Sequence, residues 1–212
     1  GRPAHLHMLG HTGCRALVVT AKYAAEVEGF QRELPALGHI VVRDAGYEAW
    51  LAGFPATDPD VPVSPDDNFI IRHTGGTTGL PKGVAYTHKA WLAAGRDWFY
   101  LFPSVYPGDK CLHIGPISHG SGYFFVPIWL AGGCNVLLDH FDPGMALEVM
   151  EREGIAYLFL VPTMLNLLNQ QPGARGRDWS KLKCMQIGAA PITDATALAA
   201  CAIFGEKLWQ GY

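Results

Sequence analysis

The chain has 212 residues, 49% hydrophobic and 17% charged, which supplies enough apolar surface for a substantial core and excludes a disordered polypeptide. Its 16 basic and 19 acidic residues give a formal net charge of −3. No broad positive field exists to attract nucleic acid, so phosphate recognition has to be local.

Residues 16–20 (ALVVT) read as a buried strand, and Tyr23, Val27, Phe30 and Leu34 form one face of a following helix. Residues 39–43 read as a second strand, 47–52 as a short helix, and 55–65, with four prolines, as an exposed connection. A strand at 69–72 leads into a glycine-rich loop, after which Trp91, Gly95, Trp98 and Phe102 line one helical stripe. Then come a strand at 111–114, an apolar helix near 123–130, a strand at 135–138 and a helix at 143–152. A strand at 155–160 runs into a helix opened by Pro162, a proline suited to the first helical position. A Gly/Arg-rich loop at 173–178 precedes a strand at 182–187, a helix at 193–204 and a last strand at 207–209. This alternation, without an internal repeat, predicts an α/β fold: an open, mostly parallel sheet with helices on both faces. Ligands of such sheets sit at the carboxyl ends of strands, so the segments after 69–72, 111–114 and 182–187 are expected to share one cleft.

The loop His73-Thr74-Gly75-Gly76-Thr77-Thr78-Gly79-Leu80-Pro81-Lys82-Gly83 has the composition of a polyphosphate cradle. Glycines let backbone N–H groups converge, threonine hydroxyls add donors, and Lys82 adds a point charge. It is not a Walker loop, which needs glycine directly before the lysine and Ser/Thr directly after it. Here Pro81 precedes Lys82 and Gly83 follows. Nor does a G-x-G-x-x-G run join a strand to a helix as a dinucleotide site requires.

The string TGGTTGLPKGV resembles the signature loop of the adenylate-forming superfamily, which includes acyl-CoA synthetases, adenylation domains of peptide synthetases and luciferases. Two further blocks agree in order and spacing: Gly115-Pro116-Ile117-Ser118-His119-Gly120-Ser121-Gly122 resembles the acyl-site segment, and Gly188-Ala189-Ala190-Pro191-Ile192 the adenine-site segment. The final Gln210-Gly211-Tyr212 resembles the opening of the family's Q-G-Y-G-x-T-E block. The resemblance implies that the chain is a fragment, residues 1–212, of the large N-terminal AMP-binding domain of such an enzyme. Residues 1–67 would be a preceding α/β segment and linker, and 68–212 would carry the phosphate-loop, acyl-site and adenine-site segments. The small C-terminal domain and its lysine would lie outside.

The same resemblance implies roles. Thr74, Gly75, Gly76, Thr77, Thr78, Gly79 and Lys82 would hold the β and γ phosphates of ATP; Gly75 stands where most relatives carry serine, which removes one hydroxyl donor. Gly188, Ala189, Ala190 and Pro191 would lie against adenine, with Tyr212 stacked on its other face beside Gln210 and Gly211. Lys82 and His119 are the candidate catalytic residues, His119 positioning the substrate rather than moving a proton. Gly120, Tyr123, Phe124, Phe125, Val161, Pro162, Thr163 and Met164 are candidate walls of the acyl tunnel, or simply core. Segment 111–130 contains no Asp or Glu, which disfavours an α-amino acid substrate.

The implied reaction is ATP-dependent activation of a fatty or aromatic acid to an acyl-adenylate and then a coenzyme A thioester. Magnesium would be ligated by residues beyond Tyr212, and no metal ligand is assigned within the chain. The 212 residues alone are expected to bind nucleotide weakly and not turn over. Two alternatives stay open: an adenylation domain loading a carrier-protein thiol, and a non-catalytic nucleotide-binding module. Cys14, Cys111, Cys134, Cys184 and Cys201 are odd in number and form no C-x-x-C pair, the pattern of reduced thiols in a cytoplasmic protein. Nothing at the start resembles a signal peptide. The longest uncharged apolar run, 123–138, is broken by Pro127, Gly132, Gly133 and Asn135 and falls short of a transmembrane segment.

Overall fold

The computed structural model describes residues 1–75 and 80–211, and the chain divides into two compact units, Gly1–His88 and Lys89–Tyr212. In the first, helix α1 (Arg2–His11) opens on Pro3 and lays Leu6 and Leu9 on a cluster of Val27, Phe30 and Leu37. Three histidines and Gly10 interrupt its apolar stripe, which is why periodicity does not reveal it. Strands β1 (Ala16–Thr20) and β2 (His39–Arg43) pair in parallel.

The single helix expected after β1 is instead a 3-10 turn, Ala21–Val27, followed by the short α2 (Phe30–Glu33). Gly29, at φ 78°, takes the left-handed conformation between them and ends any continuous helix. The inward-facing residues are still Val27 and Phe30, while Tyr23 is 46% exposed. Helix α3 (Tyr47–Leu51) and an exposed connection at 55–65 follow. Strands β3 (Asn68–His73) and β4 (Gly83–Thr87) then form an antiparallel hairpin around the glycine-rich loop. Strand β4 is absent from the periodicity reading because its five residues merge with the loop's Pro-Lys-Gly end.

In the second unit, α4 (His88–Leu101) precedes β5 (Lys110–His113), α5 (Phe125–Leu130), β6 (Cys134–Leu137) and α6 (Pro143–Arg152). Next come β7 (Ile155–Leu160), α7 (Pro162–Asn169), β8 (Cys184–Ile187), α8 (Asp194–Phe204) and β9 (Leu208–Gln210). Helix starts are fixed locally: Asp142 accepts from the Met145 N–H at 2.7 Å ahead of Pro143, and Thr193 from the Thr196 N–H at 3.3 Å.

The five strands are all parallel, in the order β6-β5-β7-β8-β9. Alternation sorts their side chains onto two faces. Leu112, Leu158, Met185 and Leu208 form one row, packed under α6, α7 and α8 with Leu147, Leu165 and Phe204. Cys111, Tyr157 and Cys184 form a row on the other face, under Phe124, Ile128, the helix α4 residue Trp98 and Phe102 just beyond that helix. The expected helices on both faces are present. The chain leaves β5 for β6 on one flank and returns for β7 on the other, so a crevice opens at the carboxyl ends where the strand order reverses.

Candidate functional site

At that edge of the second unit lies a pocket of about 730 Å³. Its floor is a lateral row in strict register, Phe159 on β7, Gln186 on β8 and Trp209 on β9, and Trp98, Phe102 and Tyr123 provide aromatic walls. Three segments after strands close the rim: His119 and Gly120 follow β5, Gly188 and Ala189 follow β8, and Gln210 and Gly211 come from the end of β9. The acyl-site and adenine-site blocks singled out in sequence therefore meet around one aromatic floor.

The glycines of these blocks have a packing role. A Cβ at Gly120 would come 2.7 Å from Cε1 of Phe159, and one at Gly188 would come 3.0 Å from Cε2, so the phenyl ring is wedged between the two. Ala189 carries a left-handed φ of 69° without being glycine, the kind of local strain that collects at ligand-contacting turns. Ala190 and Pro191 continue the turn and are exposed.

Behind the rim runs a buried polar relay. The Asn135 amide nitrogen donates to the Phe125 carbonyl at 2.9 Å, which turns Oδ1 toward His113 to accept from Nε2 at 2.7 Å. His113 Nδ1 is then an acceptor, and the Ser121 hydroxyl donates to it at 3.0 Å. The relay ties the 3-10 turn Gly120–Tyr123, which carries Gly120 and Tyr123 into the pocket, to β5 and β6. Burial pushes the His113 imidazole below its usual value of 6.5, partly offset by these hydrogen bonds.

A depressed histidine pKa makes the unfolded chain bind the proton first. This contribution is fully present above pH 6.5 and is lost as the pH falls from there toward the folded-state value. Thermal melts between about pH 7.5 and about pH 5.5, a range that brackets the titration of an ordinary imidazole, should show declining stability, with a shallower decline in His113→Gln. An unchanged slope would remove His113 as the cause.

Other candidate tunnel residues lie elsewhere. Phe124 is core at 3% exposure, Val161 caps α7, Thr163 is exposed on its first turn, and Met164 packs on the opposite face of the sheet. Phe125 sits beside His113, ring centroids 5.7 Å apart. Gln186, Phe159 and Trp209 were not legible as site residues, because only strand register reveals which residues share a row.

In the first unit, the glycine-rich loop is clipped at its base. The Thr74 N–H donates to the Lys82 carbonyl at 3.0 Å, and the Lys82 N–H to Thr74 Oγ1 at 3.3 Å, just above the His73–Gly83 pair. His7 of α1 donates to the Pro81 carbonyl at 3.1 Å. Thr74, Gly75 and Lys82 are exposed, as a ligand-facing loop requires. Gly76, Thr77, Thr78, Gly79 and Tyr212 lie outside the described residues. Among the described residues no group of three His, Cys, Asp or Glu side chains could hold a metal ion, and no helix is long and apolar enough to cross a membrane.

A family model described as AMP-binding enzyme matches residues 1–212. The chain is 30% identical over 196 residues to a feruloyl-CoA synthase of an Amycolatopsis species, covering 91% of this chain and 38% of that protein. It is 33% identical over 178 residues to the medium/long-chain-fatty-acid–CoA ligase FadD8 of Mycobacterium tuberculosis, covering 84% of this chain and 30% of that protein. The chain thus spans well under half the length of these relatives. The fold matches the inhibitor-bound N-terminal domain of FACL13 from Mycobacterium tuberculosis with a TM-score of 0.89 at 23% identity, over 100% of this chain and 54% of that one.

Proposed function

Because the chain belongs to the AMP-binding enzyme family, we propose that it serves the ATP-dependent activation of a carboxylic acid. In this reaction the carboxylate attacks the α-phosphorus of ATP, the bond to the bridging oxygen breaks, and pyrophosphate leaves; the thiol of coenzyme A then attacks the acyl carbon of the adenylate, the bond between that carbon and the phosphate oxygen breaks, and AMP and the thiol proton leave. The observation that carries the proposal is the pocket in which His119-Gly120, Gly188-Ala189 and Gln210-Gly211 surround one aromatic floor. Such catalysis needs mainly alignment and charge neutralisation.

His119, Gly120 and Tyr123 position the acid, and Gly188, Ala189, Ala190 and Pro191 receive adenine, with Tyr212 on its other face. Small residues suit this role because they let backbone approach a flat base closely. Thr74, Gly75, Gly76, Thr77, Thr78 and Gly79 offer backbone N–H groups and hydroxyls to the phosphates, and Lys82 offers a mobile positive charge. Among the described residues the pocket lining contains no Asp or Glu to pair the ammonium of an amino acid, so a fatty or aromatic acid fits better. Magnesium, which neutralises phosphate charge in ATP chemistry, finds no three-ligand group among the described residues, and no step is drawn through it.

Calorimetry tests the reading. A non-hydrolysable acyl-adenylate, which spans acyl and adenine subsites, should bind more tightly than AMP or the free acid alone. Equal affinity for all three would overturn it. The acceptor is decided by supplying the adenylate with coenzyme A or with a carrier-protein thiol and measuring which thioester forms in the intact enzyme.

A further inference from the structure

We infer that His7 is a positioning residue for nucleotide binding: it pins the backbone from which Lys82 projects. This rests on the polyphosphate reading of Lys82 above and adds the device that presents its ammonium. A peptide unit is planar, with its carbonyl oxygen and its N–H on opposite edges. The unit joining Pro81 to Lys82 is held at both. His7 Nε2 donates to the Pro81 oxygen at 3.1 Å, and the Lys82 N–H donates to Thr74 Oγ1 at 3.3 Å. A carbonyl only accepts, so Nε2 carries the proton in this bond. The unit that follows is held as well, because the Thr74 N–H donates to the Lys82 oxygen at 3.0 Å. With the plane on each side of Lys82 pinned, both of its soft dihedrals are set and the root of the side chain has one direction. The fixed φ of Pro81 stiffens the approach to it.

Thr74 holds Lys82 from within the hairpin, eight residues away, whereas His7 reaches in from α1, 74 residues before Pro81. An anchor on a separate helix ties the hairpin end to α1, which the hairpin's own bonds cannot do. The imidazole is itself held in place. His7 stacks on His11, one turn along the helix, with ring centroids 5.6 Å apart and planes 17° from parallel. His11 in turn meets His73 of β3 edge to face at 6.3 Å, and His73 pairs with Gly83, the residue after Lys82. Gly83 leaves room for this approach: a Cβ there would come 3.0 Å from Cγ2 of Ile71 and 3.6 Å from both His11 Nδ1 and His73 Nε2. An exposed lysine gives up conformational freedom when it grips an anion. Pinning its backbone beforehand removes that share of the cost, so the phosphates are bound more tightly.

The probes are ATP and, as a reference without β and γ phosphates, AMP, titrated by calorimetry into the chain and its variants. His7→Leu keeps a good helix former but cannot donate. It should weaken ATP roughly two- to ten-fold, the effect of one neutral hydrogen bond, and leave AMP unchanged. His7→Gln, whose amide nitrogen can donate to the same carbonyl, should restore most of the loss. In a Lys82→Ala background His7→Leu should cost nothing further, because the group it positions is gone. Unchanged ATP affinity in His7→Leu, equal weakening of ATP and AMP, or a His7→Gln as weak as His7→Leu overturns the inference. An undiminished His7→Leu loss on top of Lys82→Ala overturns it too, since the positioned group is then not Lys82. Should melting curves show His7→Leu unfolded, His7→Asn, whose shorter amide stops short of the carbonyl, replaces it in the comparison with His7→Gln. If Lys82→Ala alone leaves ATP binding intact, the polyphosphate reading itself fails and the inference falls with it; a Lys82→Ala loss without a His7 effect sinks the inference alone.

Discussion

Replacing Lys82 by alanine should weaken ATP binding by roughly ten- to a hundred-fold, the loss expected from one or two hydrogen bonds to a charged oxygen. Lys82 is exposed, and its backbone closes the hairpin base against Thr74. Alanine keeps both of those backbone contacts and removes only the ammonium. The fold should therefore be nearly unaffected, within about 0.5 kcal/mol as for other exposed substitutions. Affinity for an acyl conjugate lacking the β and γ phosphates should change little, because the missing charge has no partner there. Parallel titrations with ATP and with an acyl-adenylate analogue check this. Equal losses for both ligands would mean that Lys82 supports the site in general rather than the polyphosphate.

The largest effect on the fold should come from Gly122→Ala. A Cβ at this position would overlap the backbone carbonyl of Ile117, and a backbone atom inside a short turn cannot move aside as a flexible side chain does. The turn carrying Gly120 and Tyr123 would have to open, breaking the Ser121–His113 contact behind it. Overpacking of this kind costs about 1–3 kcal/mol, and the unpaired histidine adds to it. Gly120→Ala, two residues earlier, provides the contrast. There the obstacle is the Phe159 ring, which can tilt. That variant should melt close to the unmodified chain yet bind acyl conjugates at least about ten-fold more weakly, since a displaced ring narrows the pocket. Melting curves and titrations of the pair separate a structural glycine from a site-shaping one. The roles would be reversed if Gly120→Ala were the unstable variant.

The parallel sheet was legible because its strands are short apolar runs bounded by Gly and Pro, and because Asp142-Pro143 and Thr193 mark helix starts chemically. The acyl-site and adenine-site blocks, which line one pocket, stood out in the sequence as small residues at fixed spacing, while residues 76–79 of the glycine-rich loop lie outside the described residues. Three elements escaped for physical reasons. Helix α1 buries only Leu6 and Leu9 against its neighbours, too few to make a stripe. Strand β4 pairs only with β3 in a two-stranded hairpin, and its five residues run straight on from the loop's Pro-Lys end. The helix after β1 failed at Gly29, where left-handed backbone costs a glycine nothing and the amphipathic pattern carries on regardless. Within the site, the floor row could not be read at all. Phe159, Gln186 and Trp209 are far apart in sequence and are joined only by hydrogen-bonded register across three strands.

Ala189 has a further consequence. Its φ of 69° is a conformation in which glycine would rest more comfortably, so Ala189→Gly relieves the conformation itself while loosening the unfolded chain. A methyl group retained against that local preference holds the turn's outer contour in one shape. That part of the rim thus takes its curvature from the backbone conformation of Ala189 itself, and association there is expected to proceed with little rearrangement of this turn.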